Sequence, residues 1–220
     1  LSVMTDVHSL ADRLLAAGEP VDMLINNAGA LFNPRQLSEE GFEKSFALLL
    51  LSPYVLTSRL HPLLQESDDA RVVNVLSGGM YTQKIHVDDL QSERGEYSGS
   101  VAYARAKRGL MIVTEDWAAR WRDDGIAVNA MHPGWADTPG VEGSLPGFYG
   151  LMRPLLRNPG QGADTIVWLA ASPMAAQSSG RFYLDREPHV TTVIPCTGGN
   201  ESQRRELRAA LAEYAARSAS

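Results

Sequence analysis

The sequence predicts an α/β protein organised around a doubly wound parallel sheet. Two observations carry that prediction. Short apolar runs of five or six residues alternate with longer stretches of helical periodicity, the pattern of repeated strand–helix units. The runs are apolar at successive positions, as strands buried on both faces of a parallel sheet require. A chain of 220 residues fits one domain of that kind, and at this size roughly 70% of the unfolded surface is buried without staples.

The elements follow in order. Residues 7–17 place Leu10, Leu14 and Leu15 at helical spacing. The first strand, residues 21–25, closes in Asn26-Asn27-Ala28-Gly29. Ser38-Glu39-Glu40 opens a helix that runs to Pro53, where a missing N–H breaks or kinks it. Residues 71–76 form the second strand. The longest helix, residues 101–122, carries Leu110, Val113, Trp117 and Trp121 on one face. Residues 126–131 make a third strand between Gly125 and Pro133, and residues 180–184 a fourth. Asn158-Pro159-Gly160 announces a helix over 161–171. The last helix begins near Asn200, with Gln203 completing a capping box, and spans about 200–217. No internal repeat or low-complexity tract is present.

Composition narrows the function. With 20 basic and 26 acidic residues the net charge is −6, which argues against a general nucleic-acid binder, whose phosphate contacts need a basic face. Cys196 is the single cysteine, so an internal disulfide framework is excluded. The first twenty residues hold Asp6, Asp12 and Glu19 and do not read as a signal peptide. The longest apolar run, residues 46–51, stops at Ser52-Pro53, well short of the roughly 20 residues of a membrane helix. The expectation is therefore a cytoplasmic protein without a membrane span. His86 with Asp88 and Asp89 reads as an exposed loop, so no metal site is assigned, and His132 reads as a packed strand-end residue.

The chemistry concentrates in three residues. Tyr103 and Lys107 stand four apart at the start of the longest helix, so phenol and ammonium share a face. A nearby ammonium favours tyrosinate and lowers a pKa that is about 10 in isolation, making the tyrosine a usable general acid or base. Ser77 ends the second strand at its carboxyl end, where open α/β sheets bind ligands. By itself a Tyr/Lys pair at this spacing is equally a surface pair, and Asn-Asn-Ala-Gly equally a strand-ending turn. A serine hydrolase reading of Ser77 fails, because of the two glycine places of its elbow only the second is filled by glycine, Gly79, and Val75 stands in the first.

Asn26-Asn27-Ala28-Gly29, Ser77, Tyr103 with Lys107, and Pro133-Gly134-Trp135-Ala136-Asp137-Thr138 together resemble the short-chain dehydrogenase/reductase family. Twenty-six residues separate Ser77 from Tyr103, an interval similar to that of its retinol-dehydrogenase-like branch, as is Asp89-Leu90-Gln91-Ser92-Glu93 within the insertion 79–100. The resemblance implies a Rossmann-like, three-layer α/β/α domain and an NAD- or NADP-dependent oxidoreductase that interconverts a carbonyl and an alcohol. It implies that Tyr103 transfers the proton, Ser77 hydrogen-bonds the carbonyl oxygen, and Lys107 lowers the phenol pKa and bonds the nicotinamide ribose. Asn27, Ala28 and Gly29 would line the adenosine side, and Pro133, Gly134 and Thr138 the nicotinamide end. Residues 141–157, with Leu145, Phe148, Tyr149, Leu151 and Met152, would cover a small-molecule, lipophilic substrate. A relative that keeps the fold without catalysis is the alternative.

The sequence departs from the family in instructive places. No glycine-rich T-G-x-x-x-G-x-G segment stands in the 220 residues; the sheet is expected to be incomplete at its N-terminal side, and the NAD/NADP selector unreadable. Titration of the chain with NADH or NADPH is accordingly expected to show feeble binding, a result that a low-micromolar Kd contradicts. The unpaired sheet edge favours self-association into a homo-oligomer. Val3 stands where an Asp is usual, Leu76 where a second serine is frequent, and Leu49 in the place of the family's helix Asn, so relay of protons beneath Lys107 is expected to be impaired.

Overall fold

The computed structural model describes residues 1–134, 157–195 and 197–219. Its five described strands are β1 (Met23–Asn26), β2 (Arg71–Val75), β3 (Ala127–Met131), β4 (Phe182–Leu184) and β5 (Glu187–His189), hydrogen-bonded in that order. The first four are parallel, and β5 returns antiparallel on β4. The described helices of seven or more residues are α1 (Met4–Ala17), α2 (Lys44–Gln65), α3 (Gly99–Arg120), α4 (Pro159–Ala171) and, at the C-terminal end, α5 (Glu201–Arg217). Helices flank both sheet faces, which is the three-layer α/β arrangement. Val72, Val128, Ala130 and Phe182 pack under α1, α2 and α3, while Val73, Val75, Met131 and Tyr183 pack with Leu169 of α4. Alternate residues of each strand thus serve two separate cores.

Two boundaries differ from expectation. Residues 38–43 form no helix; Leu37 bridges Glu43, and Glu43 is the true N-cap of α2, its carboxylate accepting from the Ser45 and Phe46 amides. An Asp- or Glu-rich stretch suits a cap as well as a first turn, so sequence could not separate the two. The helix then passes through Pro53 and ends at Gln65. Strain at the proline is absorbed just before it, in a π turn over Ala47–Leu51. Pro53 has no N–H for the Leu49 carbonyl four residues back, and widening the turn is one local answer. The continuous α2 is long and apolar enough to cross a membrane by length and composition, yet most of it is buried in the fold, with Leu49, Leu51 and Leu64 fully inaccessible.

Buried polar side chains set the strand ends against the helices. Asn26 Nδ2 donates to Asn74 Oδ1 at 2.8 Å and to Thr57 Oγ1 at 3.0 Å; Asn74 Nδ2 donates to Thr114 Oγ1 at 2.9 Å. This run links β1, β2, α2 and α3 with each amide partnered, the condition for a buried polar group not to be a net cost. The outer edge of β1 is different: Met23 and Ile25 are 44% and 41% exposed. At the other end of the chain, α5 buries Leu207 and Leu211 in the main core, and Arg204 and Arg208 pair with Glu115 and Asp116 of α3 at 2.6 Å.

Candidate active site

The carboxyl ends of β1, β2 and β3 point the same way because the strands are parallel, and each ends in one of the motif loops. Asn27, Ala28 and Gly29 follow β1 and are exposed. Ser77 follows β2 and caps a single 3-10 turn, Gly78–Thr82, its Oγ accepting from the Gly79 amide at 3.2 Å. Pro133 and Gly134 follow β3. Helix α3 enters from beside them. Its first residue, Gly99, lies so close to the Phe32 carbonyl that a Cβ there would meet the oxygen at 2.3 Å. Only glycine permits that approach, which anchors the loop after Gly29 on the start of the helix.

Within this crevice α3 presents Tyr103 and Lys107 together. The Lys107 Nζ lies 5.8 Å from the Tyr103 ring centroid. It donates to the Val75 carbonyl at 2.6 Å and sits about one side-chain carbon from Gly29, where a Cβ would be 4.0 Å from it. The Ser77 hydroxyl lies near enough to the Tyr103 phenol to lower its pKa. Serine, tyrosine, lysine and the Gly29 loop are therefore one constellation.

Its electrostatics differ from the sequence expectation in one respect. Burial raises the Tyr103 pKa above its ordinary value, and the Ser77 hydroxyl is what opposes the rise. The Lys107 ammonium, 5.8 Å from the ring centroid, donates to the Val75 carbonyl. Lys107 itself is 3% exposed, and burial pulls its pKa down to about 8. Desolvation disfavours the charged form of both groups, which moves an acid up and an ammonium down. Leu49, at the centre of the π turn, is fully buried and lies 3.4 Å from the Cβ position of Gly29; a methyl group, not a polar side chain, fills the space beneath the lysine.

His132 closes the other side. It is stacked on Phe182, and its Nδ1 accepts from the Gly134 amide at 3.1 Å. Burial, reinforced by the Arg157 charge, lowers its pKa to about 4. The imidazole is therefore a packed, neutral acceptor and not a base, as its place at a strand end suggested. It binds no proton in the native state between pH 6.5 and 4 but does when unfolded, so stability is complete above pH 6.5 and falls as pH drops toward 4. Urea melts at stepped pH should show that decline, and His132→Asn should flatten it.

Sequence reasoning missed Arg157. Its guanidinium grips Asp185 through two bonds at 2.5 and 2.7 Å, donates to the Pro133 carbonyl at 3.4 Å, and lies against Gly134, whose φ is +73°. A side chain at Gly134 would strike it at 2.7 Å. Nothing in the sequence marks an arginine for that contact. An open cleft of about 550 Å³ beside it, lined by Asn158, Gln161 and Asp164, contains neither Ser77 nor Tyr103. Asp88 pairs with Arg94 and Asp89 with Arg105; among the described residues no cluster of three potential ligands could hold a metal. Thr138 and the segment 141–156 lie outside the described residues.

With that geometry in place, the comparisons are decisive. Residues 1–146 match the short chain dehydrogenase family. The chain belongs to that family. The human dehydrogenase/reductase SDR family member 12 is 48% identical over 185 residues, covering 84% of this chain and 57% of that protein; the stretches Ser77-Gly78-Gly79-Met80 and His132-Pro133-Gly134-Trp135 resemble that member. Human retinol dehydrogenase 13 is 30% identical, over 83% of this chain and 58% of its own. The family member thus spans a little over half the length of these curated relatives, and it sits in the retinol-dehydrogenase-like branch. The fold is shared with 3-ketoacyl-(acyl-carrier-protein) reductase from Brucella melitensis, solved with NADH: TM-score 0.61, 22% identity, 82% of this chain and 72% of that one.

Proposed function

We propose that the protein is an NAD- or NADP-dependent oxidoreductase that reduces a carbonyl to an alcohol, or the reverse, with Tyr103 transferring the proton. The observation that carries this reading is the convergence of Tyr103, Ser77 and Lys107 on one crevice at the carboxyl ends of parallel strands. Ligands bind there in open α/β sheets. The residues suit a dinucleotide laid across these strand ends, with Asn27, Ala28 and Gly29 toward its adenosine side and Pro133 and Gly134 toward its nicotinamide. Asn27, Ala28 and Gly29 are exposed at the end of β1, and Lys107 spends one of three N–H groups on Val75, leaving donors for a ribose. Pro133 and Gly134 complete the opposite wall. When bound, the dihydronicotinamide supplies the hydride.

The remaining steps belong to the chain. Ser77 Oγ donates a hydrogen bond to the carbonyl oxygen and orients it. The phenol, kept protonated by burial, gives its proton to that oxygen as negative charge develops. Lys107 orients the ribose and holds positive charge near the phenol. A lipophilic substrate fits the apolar segment 141–157 and the retinol-type relatives, and a cytoplasmic setting is part of the same reading. The test is NADH and NADPH oxidation by the full-length gene product with a panel of aromatic and long-chain aldehydes. Turnover that needs Ser77, Tyr103 and Lys107 supports the reading; absence of turnover across the panel with tight dinucleotide binding favours a non-catalytic role.

A further inference from the structure

We propose that Arg108 is a positioning residue that fixes the Ser77 turn against α3 and ties both to the C-terminal segment 190–195. Arginine is ordinarily solvated, and a buried guanidinium is costly unless its donors find acceptors. Arg108, next to Lys107, is nonetheless 1% exposed. Its Nε donates to the Met80 carbonyl at 3.1 Å and to the Gln83 carbonyl at 3.3 Å, and its Nη1 to the Thr191 carbonyl at 2.7 Å. None of these acceptors is a carboxylate. Nε and Nη1 are spent on holding backbone from separate segments, while Nη2, also buried, has no hydrogen-bond partner among the described residues.

The connection to chemistry is short. Met80, held by Arg108, donates its amide to the Ser77 carbonyl at 3.1 Å and closes the turn that Ser77 caps. Tyr81, in the same turn, donates its hydroxyl to the Val190 carbonyl at 2.6 Å. Consecutive carbonyls, Val190 and Thr191, are therefore pinned by the Ser77 turn and by α3. Val190 and Val193 are 66% and 62% exposed, and among the described residues the Ile194 carbonyl further along accepts from Thr197. Movement of 190–195 is transmitted through Arg108 to Ser77, and so to the oxygen-binding end of the crevice. The kinetic part of this proposal rests on the oxidoreductase reading; the mechanical part does not.

Hydrogen–deuterium exchange on the 220-residue chain separates them. In Arg108→Met, amides of 78–83 and of 190–195 should both exchange about tenfold faster or more, with α1 unchanged, as expected when local opening becomes easier. Arg108→Lys, with a single ammonium, should rescue one segment in part. Tyr81→Phe should free 190–195 alone. If Arg108→Met does not fold, Arg108→Lys carries the comparison. Unchanged exchange at 78–83 in a folded variant overturns the proposal, as does acceleration spread evenly over the chain. In the full-length gene product, with NADPH and 4-nitrobenzaldehyde, Arg108→Met should cut kcat about tenfold or more and move KM less than about threefold, misplacement by an ångström being worth up to about 100-fold. Added to Ser77→Ala, it should cost little further. An additive loss means Arg108 does not act through Ser77. If Tyr103→Phe keeps its turnover, the assignment of proton transfer to Tyr103 fails while the exchange result still decides the coupling; if the aldehyde is not reduced, exchange alone decides.

Discussion

Tyr103→Phe is expected to slow carbonyl reduction by about 10²- to 10⁴-fold, the usual contribution of a positioned general acid. Dinucleotide affinity should barely change, because Lys107 and the Gly29 loop are untouched. The phenol is the group that burial keeps protonated; phenylalanine fills the same space and donates nothing. The direction of the pKa shift adds a second expectation. A phenol held above its ordinary value stays an acid across neutral pH, so reduction should be flat there while alcohol oxidation, which needs tyrosinate, should rise with pH. Steady-state rates in both directions, from pH 6 upward, check this. Oxidation that falls as pH rises contradicts the assignment, and so does near-native turnover of Tyr103→Phe.

Lys107→Met is expected to abolish efficient turnover and, at the same time, to stabilise the fold near pH 7. Burial lowers the lysine pKa from 10.5 to about 8, and each unit corresponds to about 1.4 kcal/mol, so holding the charged ammonium costs the native state about 3 kcal/mol. Losing the bond to the Val75 carbonyl returns about 1 kcal/mol of that. A net gain of about 2 kcal/mol remains below pH 8. The sign of its pH dependence follows from proton counting. Between pH 8 and 10.5 the unfolded chain binds the proton that the native state has released, so the wild-type protein gains stability as pH rises and the difference closes. Urea unfolding of both proteins at pH 7 and pH 10 measures it. A less stable Lys107→Met protein at pH 7 would show that the ammonium has partners that outweigh its burial. A gain would mark Lys107 as a residue retained at the expense of stability, as functional residues often are.

The site was legible in the sequence where chemistry and topology coincide. Ser77 lies just past a buried strand, Tyr103 and Lys107 share a helix face by spacing alone, and Asn27, Ala28, Gly29, Pro133 and Gly134 sit at strand ends; parallel strands then bring them together. The strands at 71–76 and 126–131, the helix start after Asn158 and the capping box at Asn200 were equally plain, because each depends on neighbours in sequence. The rest depends on distant partners. Continuation of α2 through Pro53 is decided by packing of the leucines after it, not by propensity at the proline. Strand β5 follows β4 after only Asp185 and Arg186, both with positive φ, in a turn without the glycine or asparagine that would announce it. Arg108 and Arg157 carry no local mark, since an arginine looks the same in sequence whether it is solvated or folded inward. The spacing placed the Lys107 charge on the face of Tyr103, but its bond to the Val75 carbonyl is a matter of side-chain direction and has no mark in the sequence.

Rings of four side chains from α2 and α3 lie in a column: Tyr54 over Trp117 at 5.9 Å, Trp117 over Trp121 at 5.2 Å, and Trp121 over His61 at 4.6 Å. The two indoles are within 12° of parallel, close enough for their electronic transitions to mix. Such a pair splits its absorption into an exciton couplet in the far-ultraviolet circular dichroism, with a sign set by the handedness of the stack. The couplet weakens as the rings part or turn. The protein therefore carries an intrinsic optical reporter on the helix that bears Tyr103 and Lys107, readable without a dye or a label.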